Sequence, residues 1–167
     1  AVLLKNPRDI DIILNSSKNL TIANFNSKNQ IILSGSLKAI DNAILFCKKN
    51  KIRTLPLPVS GAFHSELMKP ASDALQKTIN QLNFNDAIMP IYQNVNALPE
   101  KKGSNLKLNI THQITKPVNW QETITNMIKD GVTSFFEIGP KNILLNLMKN
   151  IDKNKEANSF ETQHESI

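Results

Sequence analysis

Leu20-Thr21-Ile22-Ala23-Asn24-Phe25-Asn26-Ser27-Lys28-Asn29-Gln30-Ile31-Ile32-Leu33-Ser34-Gly35-Ser36 is the stretch on which the fold of this chain turns. Leu20 to Ala23 reads as one strand, and the Ile-rich run Gln30 to Leu33 reads as the next. Between them, Asn24 to Asn29 has the polar composition of a turn or loop. Gly35 breaks the second strand. Ser36 can then cap a helix that carries Leu37, Ile40, Ile44 and Cys47 on one side.

Working outward, Val2 to Leu4 is a short apolar strand. Asn6 can cap a helix with Pro7 at its first position and Ile10, Ile13 and Leu14 as its apolar stripe. Arg53 to Leu57 supplies a fourth strand. The order βαββαβ is the ferredoxin-like split βαβ pattern. Each half is too small to bury its apolar face alone, so both helices are expected on one side of a four-stranded antiparallel sheet. Residues 1–58 are thus expected to form a small α+β lobe within an α/β fold class.

Beyond residue 58 the chain is less regular. From Ser65 it becomes helical, with Pro70 near the start of a helix bearing Ala71, Ala74, Leu75, Thr78, Ile79 and Leu82. Pro90 to Val95 reads as a strand and Pro99 to Ser104 as a turn. Leu106 to Thr115 reads as a helix that Lys116-Pro117 interrupts. Asn119-Trp120-Gln121-Glu122 has the form of a capping box opening a helix through Ile124, Met127 and Ile128, which Gly131 stops. Thr133 to Ile138 is a strand, and Gly139-Pro140 leads into a last helix with Ile143, Leu144, Leu147 and Met148. Strands separated by helices predict part of a parallel sheet, so residues 59–151 are expected to form a second unit. Residues 152–167 are polar and nonperiodic and are expected to be a frayed, disordered tail.

The 167 residues are 40% hydrophobic, enough for a packed core. The formal net charge of +6 is dispersed, with short clusters at Lys48-Lys49-Asn50-Lys51 and Lys101-Lys102. Arg8 and Arg53 are the only arginines, and aromatics make up 5% of the chain, a poor basis for nucleic-acid binding. A basic face for an acidic carrier protein stays open. The single cysteine, Cys47, excludes an internal disulfide and argues against a cysteine metal site. No apolar run reaches membrane-span length and no secretory signal is visible, so cytoplasmic residence is the default expectation. The opening Ala1-Val2-Leu3-Leu4 starts inside an apolar run, which reads as a fragment of a longer protein.

The chemistry concentrates in Leu55-Pro56-Leu57-Pro58-Val59-Ser60-Gly61-Ala62-Phe63-His64-Ser65. His64 stands at a strand-to-helix junction, where rigid elements on both sides can place a general base. A surface or packing histidine is the other open reading. His112, in a helical stretch, has no companion at ligand spacing, and His164 lies in the polar tail. Ser60 and Ser65 are better read as turn or cap residues than as nucleophiles, because no Gly-x-Ser-x-Gly elbow exists. Five glycines exclude a phosphate-cradling loop, and paired carboxylates and zinc spacings are missing, so no cofactor or metal is expected.

Several stretches carry a family resemblance. They are Ala23-Asn24-Phe25-Asn26-Ser27 with Gln30 and Ser34-Gly35, the block from Leu55 to Ser65 with Leu67-Met68 and Pro70-Ala71, and Asn94-Val95. Gln113 with Pro117-Val118 and Trp120, and Phe136-Glu137-Ile138-Gly139-Pro140, complete the set. In order and spacing, from Leu3 to about Ile151, the chain resembles the C-terminal half of malonyl-CoA:acyl carrier protein transacylases. These enzymes have the acyltransferase fold of fatty acid and polyketide synthases. The resemblance implies a ferredoxin-like lobe inserted in an α/β-hydrolase-like lobe, with the active site in the gorge between them.

It also implies the chemistry. A serine on the larger lobe takes malonyl from malonyl-CoA, and the phosphopantetheine thiol of acyl carrier protein takes it from the serine. His64 would be the base, oriented by the main-chain carbonyl of Gln113, so that Gln113→Ala could be mild. Phe63 would bias the pocket against a C2 methyl group, and Asn24 and Asn26 would line a polar loop facing the gorge. The serine and the carboxylate-binding arginine lie upstream in the family and are absent here, so the chain alone is expected to be inactive. The rival readings are a carrier-protein-binding module and an acyltransferase domain of a multifunctional synthase.

Overall fold

The computed structural model describes residues 1–160 of the chain. Its first half is organised by a hairpin. β2 (Leu20–Ser27) and β3 (Gln30–Gly35) pair antiparallel around Lys28-Asn29. β1 (Val2–Leu3) lies beside β3 and β4 (Arg53–Thr54) beside β1, both antiparallel, so the sheet order is β2-β3-β1-β4. Helices α1 (Asp9–Leu14) and α2 (Leu37–Lys49) link the strands and touch each other. Val2, Leu4, Ile13, Ile22, Ile31, Cys47 and Ile52 form one buried cluster between helices and sheet. Each large aliphatic member contributes about 1.5–3 kcal/mol by leaving water, which is what holds so short a set of elements together.

Four local readings change here. Strand β2 runs past Ala23 to Ser27, through most of the expected loop. Register shifts between Ile22 and Asn24 and between Phe25 and Ser27 keep it paired with β3. The turn preference of Asn24 and Asn26 is a local effect, and pairing on two edges outweighs it. On the second edge, Phe25 N–H donates to Val118 O at 2.9 Å and Val118 N–H to Ala23 O at 2.8 Å. Strand β4 stops at Thr54, although Leu55 and Ala1 still exchange main-chain bonds of 2.7 and 2.8 Å. Pro56 and Pro58 have no N–H with which to continue it.

On α2 the buried stripe is Ala39, Ala43 and Cys47, at i, i+4 and i+8, while Leu37 is 86% exposed in the first turn. Ser36 caps this helix as expected, accepting from Ala39 N–H at 3.3 Å. Asn6 does accept from Arg8 N–H at 3.0 Å, but that bond closes a turn ahead of α1. The helix begins at Asp9, whose carboxylate accepts from the N–H groups of Lys5 and Asn6.

The second half contains a 3-10 turn (Glu66–Met68), α3 (Lys69–Asn80), β5 (Ile91–Tyr92), β6 (Pro99–Glu100), α4 (Gly103–Gln113), α5 (Trp120–Lys129), β7 (Ser134–Ile138), α6 (Ile143–Ile151) and β8 (Glu156–Phe160). The strand expected over 90–95 shrinks to Ile91–Tyr92, paired antiparallel with Pro99–Glu100 in the expected turn. The carbonyls of Asn94 and Val95 accept from Asn119 instead, through its N–H at 2.9 Å and its Nδ2 at 2.7 Å. That use of its side chain is why Asn119 does not close a capping box on α5. Gly131, at φ +94°, ends α5 in the left-handed region that glycine alone enters freely.

The polar run after Ile151 is corrected in part. Glu156–Phe160 pairs parallel with β7 from Ser134↔Glu156 to Ile138↔Phe160, with α6 as the crossover. Phe160 stacks on Phe136 at a centroid distance of 5.6 Å. The lack of helical period there reflects strand alternation, with Ala157 and Ser159 turned inward. Residues 161–167, with His164, lie outside the described residues. Among the described residues no helix is long and apolar enough to cross a membrane.

Candidate active site

His64 lies on the turn between Ala62 and the Glu66–Met68 3-10 segment. Its backbone is left-handed, at φ +61°, a conformation few non-glycine residues adopt. The position is pinned from α4: His64 N–H donates to Ile114 O at 2.9 Å. The half-buried ring then sets Nδ1 2.8 Å from Gln113 O and 3.1 Å from Lys116 O. A carbonyl can only accept, so Nδ1 carries the proton and the lone pair sits on Nε2. The side-chain Nε2 of Gln113 is 3.4 Å from the same Nδ1, but two donors do not bond.

The two acceptor carbonyls are free because α4 ends there. Thr115 and Lys116 N–H groups turn back to His112 O at 3.1 and 2.9 Å, and Pro117 forbids another helical turn. The strip then continues into Val118, which bridges to β2 at Asn24. The histidine seat and the long hairpin strand are therefore joined through Lys116-Pro117-Val118. Lys116 Nζ also reaches Glu66 Oε1 at 3.5 Å, an exposed pair worth at most about 1 kcal/mol.

The start of α4 is fixed with similar care. Lys102, at its N-cap position, makes no cap bond. Asp86 Oδ1 instead accepts from Gly103 N–H at 2.9 Å and Oδ2 from Lys102 Nζ at 2.8 Å. Glu100 Oε1 accepts from the N–H groups of Lys101 and Lys102, each at 2.7 Å. Two carboxylates thus meet the positive end of the helix. The Lys102 ammonium, then the Gly103 amide, hold Asp86 below the usual carboxylate range. The Lys102 amide, with Asn105 and the Lys101 amide, does the same for Glu100. A side chain on Gly103 would meet Phe84 O at 2.1 Å, so the helix can dock only through a glycine.

Of the sequence-predicted site residues, His64 and Gln113 are brought into contact by the carbonyl of Gln113. Phe63 shares the turn with His64 and is 48% exposed. Asn24 joins the site through its backbone bridge to Val118 and is half-buried, while Asn26 is buried farther along β2. No side-chain hydrogen bond links either asparagine to His64 among the described residues. His112 points outward on α4. Cys47 is fully buried in the core, where burial first and Asp9 second push its thiol up. The carbonyls of Ile114 and Lys116 are contributors that sequence reasoning missed; the helix-breaking Lys116-Pro117 was their only signal.

A cavity of about 430 Å³ lies between α2 and the 54–62 segment, lined by Ile40, Ile44, Leu55, Leu57 and Gly61. Neither His64 nor Gln113 lines it. Among the described residues no group of three or more His, Cys, Asp or Glu could hold a metal ion.

The comparisons with known proteins agree closely. The malonyl CoA-acyl carrier protein transacylase of Bacillus subtilis (strain 168) is 38% identical over 133 residues, covering 79% of this chain and 42% of that protein. The solved malonyl CoA-acyl carrier protein transacylase of Clostridium perfringens superposes with a TM-score of 0.89 at 34% identity, over 96% of this chain and 52% of that one. A malonyl-transacylase solved in complex with its type II PKS acyl-carrier protein superposes at 0.81 with 27% identity, over 96% and 53%. The chain spans about half the length of the curated relatives it matches. With residues 3–163 matching the model of the acyl transferase domain, the chain belongs to the acyl transferase domain family.

Proposed function

We propose that this chain is the C-terminal half of a malonyl transferase. It would move malonyl from malonyl-CoA to the phosphopantetheine thiol of acyl carrier protein in fatty acid biosynthesis. The observation that carries the reading is the seat of His64: Nδ1 held against the Gln113 carbonyl, leaving a basic Nε2. In the first half-reaction Nε2 takes the proton of a serine hydroxyl supplied by the rest of the protein. The serine oxygen attacks the malonyl thioester carbon, the C–S bond breaks, and the imidazolium returns the proton to the CoA thiolate. In the second, the carrier thiol gives its proton to Nε2 and attacks the serine ester, and the serine recovers its proton. No group is oxidised or reduced, and none of these steps requires a metal or a bound cofactor.

Supporting this reading are the malonyl transacylases among the relatives, one of them solved with its carrier protein. The sheet order β2-β3-β1-β4 with α1 and α2 supports a ferredoxin-like lobe over residues 1–58. The parallel βαβ unit of β7, α6 and β8 supports an α/β-hydrolase-like unit that starts near residue 59 and takes in β8. Phe63 would shape the acyl pocket, and Asn24 and Asn26 its polar wall. The proposed compartment is the cytoplasm, where a lone buried thiol stays reduced.

The experiment is malonyl transfer by the full-length protein with His64→Ala. Its rate is expected to fall by at least about 10²–10⁴-fold, the range contributed by a positioned base. Near-normal turnover in that variant overturns the assignment.

A further inference from the structure

Ser65 holds an unusual position for a serine at the start of a helical turn. It is 4% exposed and occupies the N-cap of the Glu66–Met68 segment, yet its hydroxyl does not cap it. The segment is closed by main chain alone, with Met68 N–H donating to Ser65 O at 3.0 Å. Ser65 Oγ turns back instead and donates to Ala62 O at 2.6 Å. That bond closes a ring around the two residues between them, Phe63 and His64.

The ring has strain to contain. The left-handed backbone of His64, at φ +61°, crowds the Cβ of any residue but glycine against the following carbonyl. Two contacts oppose relaxation. The Ile114 carbonyl holds the His64 N–H from α4, and the Ser65 hydroxyl holds the opposite side of the turn. Without the hydroxyl, the turn loses its own clasp, and the His64 N–H bond to Ile114 O and the Nδ1 bonds to the Gln113 and Lys116 carbonyls are left to resist a return to the right-handed region. Such a flip would swing the imidazole off the Gln113 carbonyl.

We propose that Ser65 is a positioning residue for the His64 imidazole, its Oγ–H···O=C bond to Ala62 holding the strained turn that keeps Nδ1 on the Gln113 carbonyl. The inference rests on His64 being the base. It makes Ser65 a support of that base and not a nucleophile, since its proton is already committed to a carbonyl.

The test is a double-mutant cycle in the full-length protein, with formation of the malonyl-enzyme followed under single-turnover conditions. Ser65→Ala is expected to lower kcat about 10- to 100-fold with KM changed less than about twofold, the size of effect that about 1 Å of misplacement produces. In a His64→Ala background the same substitution is expected to cost nothing further, because Ser65 acts only through the ring. Ser65→Cys, with the same shape and a weaker donor, is expected to fall between wild type and Ser65→Ala, and covers the case in which the alanine variant does not fold. An equal loss in both backgrounds, or unchanged kcat in Ser65→Ala and Ser65→Cys, overturns the positioning role while leaving His64 as the base. Near-normal turnover in His64→Ala removes the base itself, so the two failures are distinguishable.

Discussion

Gln113 meets His64 through its main chain: the Gln113 carbonyl oxygen lies 2.8 Å from Nδ1, across 49 positions of sequence. A carbonyl takes the place that a carboxylate often holds behind a catalytic histidine. It fixes tautomer and orientation without adding a negative charge.

A first prediction follows from that contact. Gln113→Ala keeps the carbonyl and is expected to change kcat/KM for malonyl transfer by less than about fivefold, or ~1 kcal/mol. Steady-state rates of the full-length enzyme read it. A loss as deep as that of His64→Ala would show that the side-chain amide, not the carbonyl, matters.

The two carboxylates at the start of α4 predict an acid response. Both Asp86 and Glu100 are held below their ordinary range in the fold, by Lys102 first in each case. A group depressed on folding adds stability above its unfolded value, near 4. That stability disappears as pH falls through the lower folded value. Melting midpoints are therefore expected to fall as pH drops below about 4, and Asp86→Asn is expected to flatten this limb. An unchanged acid limb in Asp86→Asn would remove the cap from the account of α4.

Glu137 lies in the Phe136 to Pro140 stretch and has a structural task. Its Oε1 accepts from Leu144 N–H at 3.1 Å and its Oε2 from Leu145 N–H at 2.8 Å, capping α6 across the Gly139-Pro140 turn. Glu137→Ala is expected to cost about 0.5–2 kcal/mol, as lost caps do. Thermal or denaturant unfolding measures it, and a variant as stable as wild type would contradict the assignment.

Phe63 stands beside His64, the proposed base, and its proposed place in the acyl pocket predicts substrate choice. If Phe63 shapes the acyl pocket as proposed, Phe63→Ala opens space for a C2 methyl group. It is expected to shift the kcat/KM ratio toward methylmalonyl-CoA over malonyl-CoA by about 10–200-fold, the range one methylene commands in a pocket. Competition between the two thioesters reads the ratio directly. An unchanged ratio would make Phe63 a packing residue only.

What was legible in the sequence was local. The Ser36 cap, the stop at Gly131, the Lys116-Pro117 break and the strands around Ile22, Ile31 and Phe136 depend on residues a few positions apart. Where local preference met distant pairing, the distant partner won. Asn24 to Ser27 became strand because β3 and Val118 flank it, and Glu156–Phe160 became strand because β7 lies alongside. Asn119, with the right form for a cap, used its side chain on Val95.

The sequence by itself determined the alternation of elements, the family resemblance and which imidazole to examine, because side-chain type and period are written in the chain. The resemblance named the Gln113 carbonyl as that imidazole's partner, but only the tertiary structure added the carbonyls of Ile114 and Lys116 and the left-handed turn. The carbonyls of Gln113, Ile114 and Lys116 are groups every residue carries, and apart from the helix break at Pro117 nothing in a side chain says which of them will be left free. Their availability depends on where α4 ends and on what that end packs against, which is a property of the folded chain.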